Sequence, residues 1–164
     1  MLQKSFMRIL SIIILVLISF NVQAQEERDS TLRNCPVHIT DTVSSNNFFI
    51  EARPSVLKVY RVKGKLTVAV EQKGQFVSLY FHVKRLKTGT YSIAPGSRGS
   101  KEVEAIYSFK SGDQASYIAI SSGKIDVSFN KETDHWVLKL NGMIANLVER
   151  SVTYYKVFGD LNIK

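Results

Sequence analysis

Cysteine is almost missing from this chain. One Cys in 164 residues excludes both a disulfide framework and a cysteine-rich zinc site. Histidine is confined to His38, His82 and His135, with none of the close spacings that make a His-based metal site recognisable, so no metal is expected. The phosphate-cradling patterns Gly-x-x-x-x-Gly-Lys and Gly-x-Gly-x-x-Gly do not occur, and no cofactor is expected. After residue 24 no apolar run approaches the roughly 20 residues a spanning helix needs, so the mature chain should carry no transmembrane helix. Apolar content is not lacking: 45% hydrophobic and 10% aromatic residues describe a chain that folds, since disordered chains fall short of both.

The first 24 residues read as an export signal. Lys4 and Arg8 form a basic head, Ile9 to Phe20 an apolar run, and Asn21-Val22-Gln23-Ala24 a polar end closing on a small residue. Cleavage is expected after Ala24, because the apolar run is too short to remain as an anchor. Cys35 lies well beyond that run, so it does not supply a lipid-anchoring site, and as a single thiol in an exported chain it is either free or joined to another chain. The expected location is the periplasm or outer-membrane periphery of a Gram-negative bacterium, or the exterior. The remaining 140 residues fit one domain.

From 25 to 47 the chain is polar and reads as an N-terminal tail, which leaves 48–164 as a single all-β domain. Leu66, Val68 and Val70 alternate with Lys65, Thr67, Ala69 and Glu71. Val77, Leu79, Phe81 and Val83 alternate with Ser78, Tyr80, His82 and Lys84, which turns His82 to solvent. Lys63-Gly64 and Gln72–Gln75 supply turns, so three strands from about Ser55 to Val83 form a meander. Further strands are expected at Phe48–Ala52, Thr90–Ile93, Val103–Phe109, Ser116–Ile120, Lys124–Asn130, Trp136–Asn141, Met143–Val148 and Val152–Phe158, with Ser121-Ser122-Gly123-Lys124 as a hairpin turn. The sum is an antiparallel meander of about ten strands forming a β-sandwich or a calycin-like barrel.

Four segments in the second half go together: Thr88-Gly89-Thr90-Tyr91-Ser92-Ile93, Ala105-Ile106-Tyr107, Ser121-Ser122-Gly123-Lys124-Ile125-Asp126-Val127 and Leu138-Lys139-Leu140-Asn141-Gly142. In this order they resemble functionally uncharacterised exported β-sandwich or calycin-like domain proteins of Bacteroidota. The resemblance implies a fold and an envelope location. It carries over no catalytic residue, and this chain departs from the commoner pattern in lacking a lipidated Cys.

Hydrolase signals do not assemble. Ser-x-x-Lys occurs at Ser55–Lys58 and Ser121–Lys124, and Lys87-Thr88-Gly89 matches the third motif of penicillin-binding proteins, but the middle Ser-Asp-Asn is missing and Ser55 opens a strand rather than a helix. A triad would have to join Ser121 or Ser122 to His82 or His135 and to Asp113, Asp126 or Asp134, with no Gly-x-Ser-x-Gly elbow to present the nucleophile. No catalytic residue is assigned.

Charge is more informative. Between Arg53 and Lys101 eleven basic residues face the single acid Glu71, whereas the segments on either side are slightly acidic. A basic surface of Lys58, Arg61, Lys63, Lys65, Lys84, Arg85 and Lys87 would draw an acidic envelope protein or a polyanion such as lipopolysaccharide or an acidic glycan, nucleic acid being an unsuitable partner for an exported chain. The competing account is that Lys and Arg guard strand edges against association. Tyr60, Phe76, Tyr80, Tyr107 and Tyr117 fall off the Val-Leu parity, and they either pack a second face or line a cavity for a small apolar ligand. Two functions are therefore expected to compete: a non-catalytic binding domain with a basic surface, and a carrier or sensor with a barrel cavity.

Overall fold

A computed structural model describes residues 28–32, 36–46, 54–96, 98–148 and 151–164. The expected export signal, Cys35 and the strand anticipated at Phe48–Ala52 lie outside these residues. The described chain is all-β: β1 (Arg28–Leu32), β2 (Val37–Asp41), β3 (Ser55–Val62), β4 (Lys65–Gln72), β5 (Gln75–Phe81), β6 (Gly89–Ile93), β7 (Glu102–Ser111), β8 (Gln114–Ala119), β9 (Ser122–Asn130), β10 (His135–Val148) and β11 (Ser151–Ile163). Ten of them form one path in the order β1-β3-β4-β5-β7-β6-β9-β10-β11-β2, and β8 pairs with β7 off that path. The sheet curls into a half-barrel, so a single sheet supplies both walls of the core.

The expected meander is present as β3-β4-β5, antiparallel in the register Leu57↔Val70↔Val77 and Val59↔Val68↔Leu79. Its two turns are Lys63-Gly64 and Lys73-Gly74, with positive φ at both residues of each, the twist that two-residue hairpins require. Alternation then decides what is buried: Leu66, Val68, Val70, Val77, Leu79 and Phe81 are each at most 5% exposed. Opposite them, Ile125, Val127, Leu138, Leu140, Val157 and Leu161 of the later strands join the same cluster, and Phe81 meets Tyr91 edge-on at 5.4 Å across the join.

That join is not antiparallel. β6 runs parallel to the start of β7, with Ser92↔Glu102 and Ile93↔Val103 in register, while β8 takes the other end of the same β7 edge. Between them the Ile120 N–H donates to the Ala105 carbonyl at 2.8 Å, so β6, Ile120 and β8 share one strand position end to end. Ser121 then crosses to β10, where its N–H donates to the Met143 carbonyl at 2.7 Å, and β9 begins. Ser121 to Lys124 is thus a crossing into a strand, in place of the expected hairpin turn.

Three further expectations are corrected. The stretch 25–47, read as a tail, contributes both edge strands of the sheet. Val37 and Ile39 are fully buried against β11, but two apolar residues among polar ones are too few to show a period. The strands expected on either side of Gly142 are one 14-residue strand, β10. Gly142 makes no turn: it pairs with Gly123 under Ile120, whose Cγ2 would lie 2.6 Å from an added Cβ. β11 likewise runs through Gly159 to Ile163, because Gly159 lets the backbone of Pro36 approach.

Candidate functional site

β3 and β5 end, and β4 begins, at the same end of the sheet, and β10 begins and β11 ends there too. This end is the mouth of the half-barrel. Leu57, Val59 and Arg61 share the inner parity of β3, in register with Val70, Val68 and Leu66. Arg61 is the outermost of the three, so its stem lies along apolar surface while the guanidinium reaches the opening. There its Nη1 donates to the carbonyl of Lys84 in the segment that follows β5. The far side of that segment is tied by Tyr91, a residue 1% exposed. The Tyr91 hydroxyl accepts from the Lys87 N–H at 3.0 Å and donates to the Lys87 carbonyl at 3.2 Å. Residues 84–87 are therefore pinned to both halves of the sheet.

Under this rim lies a cavity of about 300 Å³. Val59, Leu66, Leu86, Trp136 and Ile163 give it an apolar lining, Tyr60 borders it, and Arg61, Arg85 and Lys164 supply positive charge. A groove lined by Arg61, Lys63, Gly64, Lys84 and Arg85 adjoins it. Arg61, Lys63, Lys84 and Arg85 have no carboxylate at ion-pair distance among the described residues. Four cations gathered without acids repel one another, and an anion seated among them relieves that repulsion.

Of the seven basic residues expected to form one surface, these four converge on the mouth. Lys58 is on the outer face of β3, 3.5 Å from Glu71 in an ion pair. Lys65 opens β4 and is exposed, and Lys87 is exposed beside the rim with its backbone engaged by Tyr91. The aromatic set does not gather. Tyr60 and Tyr80 flank Thr67 in register on the outer face, with Thr67 buried between them, and Phe76 stands on that face opposite Glu71. Tyr107 is buried at the far end from the mouth, and Tyr117 is 73% exposed.

At that far end the Tyr107 hydroxyl donates to Gln75 Oε1 at 2.8 Å, and burial pushes the phenol up to about 12. Ser55 Oγ and both amide atoms of Gln72 are buried towards the same end and have no hydrogen-bond partner among the described residues. His82 is expected to face solvent; it lies just past β5, half-buried, with Nε2 enclosed and without a partner among the described residues. Of the residues named for a triad, Ser121 Oγ donates to the Met143 carbonyl at 2.9 Å, His135 Nδ1 meets the Thr133 carbonyl, and Asp126 accepts from the Thr90 hydroxyl. Among the described residues no group of three His, Cys, Asp or Glu is placed to hold a metal ion, and no helix is long and apolar enough to cross a membrane.

Sequence reasoning did not pick out Leu86, Trp136, Leu66, Ile163 or Lys164 for the site. Leu86 carried a signal, an apolar residue inside the basic run Lys84-Arg85-Leu86-Lys87. Trp136 read as one more inward strand residue, and only the curl of the sheet brings it opposite Leu66. The fold and the mouth together define a half-barrel β domain with a cation-rimmed apolar cavity. Comparison with protein-family models, with curated proteins and with solved structures found no match to this chain.

Proposed function

We propose that the protein is a non-catalytic, exported β domain that binds a polyanionic component of the bacterial envelope, or an acidic protein partner, through its basic mouth. The observation that carries this reading is the convergence of Arg61, Lys63, Lys84 and Arg85 at one end of the half-barrel with no acid at ion-pair distance among the described residues. Lysines serving only to protect strand edges would be spread along the edge strands. These four instead gather at one end of the sheet, Arg61 at the close of β3, Lys63 in the hairpin turn after it, and Lys84 and Arg85 on the pinned segment that follows β5. The reading keeps the export expected of residues 1–24 and the resemblance to exported Bacteroidota domains as expectations.

The carrier reading is favoured by one observation, the apolar cavity at the mouth. It is limited by another: Val68, Leu79, Ala105 and Leu138 fill the interior below, each fully buried. The test is retention on heparin and lipopolysaccharide resins, with two variants of equal charge change. Lys84→Gln with Arg85→Gln is expected to elute at clearly lower salt than wild type, while Lys124→Gln with Lys139→Gln elutes close to it. Equal shifts from both pairs would mean that net charge, and no particular site, governs retention.

A further inference from the structure

We propose that the mouth cavity binds a small anionic amphiphile, one short apolar chain or ring carrying a phosphate, sulfate or carboxylate head. This rests on the anion-binding reading above and narrows it to a ligand class. The lining and the rim make different demands. A purely ionic partner would cover Arg61 and Arg85 but leave the half-buried Leu86 and Trp136 in contact with water. A neutral apolar ligand would fill the cavity and leave the mutual repulsion of the cations in place. Only a molecule with both parts satisfies the site, and the planar, weakly hydrated guanidinium of arginine is well suited to a phosphate or carboxylate head.

Size sets a limit on the apolar part. About 300 Å³ is at the lower end of ligand cavities, which run from roughly 300 to 1,000 Å³. The floor cannot deepen to admit a longer chain, because Val68, Leu79, Leu138 and Leu161 beneath it are at most 1% exposed and packed into one cluster. The rim is also preorganised. Arg61 holds the Lys84 carbonyl and Tyr91 holds Lys87, so the loop that carries Arg85 and Leu86 has less freedom to lose on binding.

Trp136 is the single tryptophan of the chain and lines the cavity, so its fluorescence reports on occupancy without a label. The purified protein is titrated with inorganic phosphate and with butyl, hexyl, octyl, decyl and dodecyl phosphate, each below its micelle concentration, and with octyl glucoside as the neutral chain. The alkyl phosphates are expected to shift Trp136 emission saturably to the blue. Their Kd should fall by about three- to fourfold per added methylene. The fall should stop once the cavity is full.

Arg85→Gln should weaken octyl phosphate by about tenfold while leaving the increment per methylene intact. Leu86→Gln should flatten that increment. Octyl phosphate binding no better than inorganic phosphate, or no better than octyl glucoside, overturns the proposal, as does a Kd that keeps falling to dodecyl without a limit. If heparin retention through Lys84 and Arg85 holds while the chain-length series is flat, the amphiphile is wrong and the anion-binding mouth stands. If neither heparin nor any phosphate binds, both readings fall.

Discussion

The two halves of the curled sheet use the same residues for different work. In the first half, β3 to β5, glycine makes turns: Gly64 and Gly74 each follow a lysine, and both residues of each pair take positive φ. In β9 and β10 glycine instead lies inside strands as a point of close approach, while Gly112 between β7 and β8 still makes a turn at φ +59°. Gly142 has no positive φ, and an added Cβ would come within 2.6 Å of Ile120 and 3.2 Å of Ile93. Charge divides the same way. On the outer face of β9 and β10 the positive groups are interleaved with acids, as in Lys124 at 3.1 Å from Asp126, whereas Arg61, Lys63, Lys84 and Arg85 at the mouth have no acid at ion-pair distance among the described residues. A basic residue count therefore says little about function until it is known which cations have acids beside them.

The largest effect that tests this contrast is on stability. Gly142→Ala is expected to cost about 1–3 kcal/mol through overpacking against Ile120. Gly74→Ala meets nothing closer than Lys110 Cβ at 4.0 Å, so its cost, roughly 1–2 kcal/mol, comes from the left-handed backbone alone. Urea unfolding measures both, and Ile120→Ala separates the causes. With Ile120 shortened, the added cost of Gly142→Ala should largely vanish, while that of Gly74→Ala should stay the same. A Gly142→Ala cost that is indifferent to Ile120 would show that the glycine serves backbone freedom in both halves.

The same contrast explains what was legible in the sequence. Strands of the first half alternate cleanly and end in Lys-Gly turns, so β3, β4 and β5 could be drawn from the residues alone. The second half misled at Gly123 and Gly142. Gly142 looked like a break and Gly123 like a turn because local reading assigns glycine to φ > 0; Gly123 does take φ +132°, but inside a strand, and at both positions a neighbour from elsewhere in the chain leaves no room for a Cβ. The parallel pairing of β6 with β7 left no trace either, since only two residues of each strand take part. Of the site, the four cations were within the named set, but the choice of these four over Lys58 depends on Glu71 lying across β4 in the next register. The cavity lining joins β4 to β10 and β11, a contact that only tertiary curl creates.

A smaller effect concerns the far end of the first half, where Tyr107 gives its proton to Gln75. Its phenol is raised to about 12 by burial, above the ordinary value of 10.0. Below pH 10 the group is neutral in both folded and unfolded chains and makes no pH-dependent contribution to the balance between them. As pH rises from 10 toward 12 the unfolded chain loses this proton while the folded chain keeps it, so stability should fall across that window. Tyr107→Phe should remove part of the alkaline slope seen in urea midpoints between pH 9 and pH 12. An unchanged slope would place the alkaline sensitivity on the lysines instead.

The smallest effect belongs to the interleaved charges of the second half. The Thr90 hydroxyl donates to Asp126 at 2.6 Å, and Lys124 adds a second bond, and together they hold this carboxyl below its ordinary value. A depressed carboxyl contributes stability that is present above the unfolded value and lost as pH falls through the folded one. Because the Asp126 side chain is 44% exposed, water screens most of that gain, and Lys124→Gln is expected to leave the unfolding midpoint at neutral pH unchanged. The titration itself should still move. Thr90→Val removes the largest single cause, the hydroxyl bond, whereas Lys124→Gln removes a bond and a charge together; both are expected to raise the Asp126 carboxyl, and carboxyl NMR reads which shift is larger. A larger shift from Lys124→Gln would mean that charge dominates the outer face as it does the mouth, and the division between the two regions would have to be drawn from the apolar cavity alone.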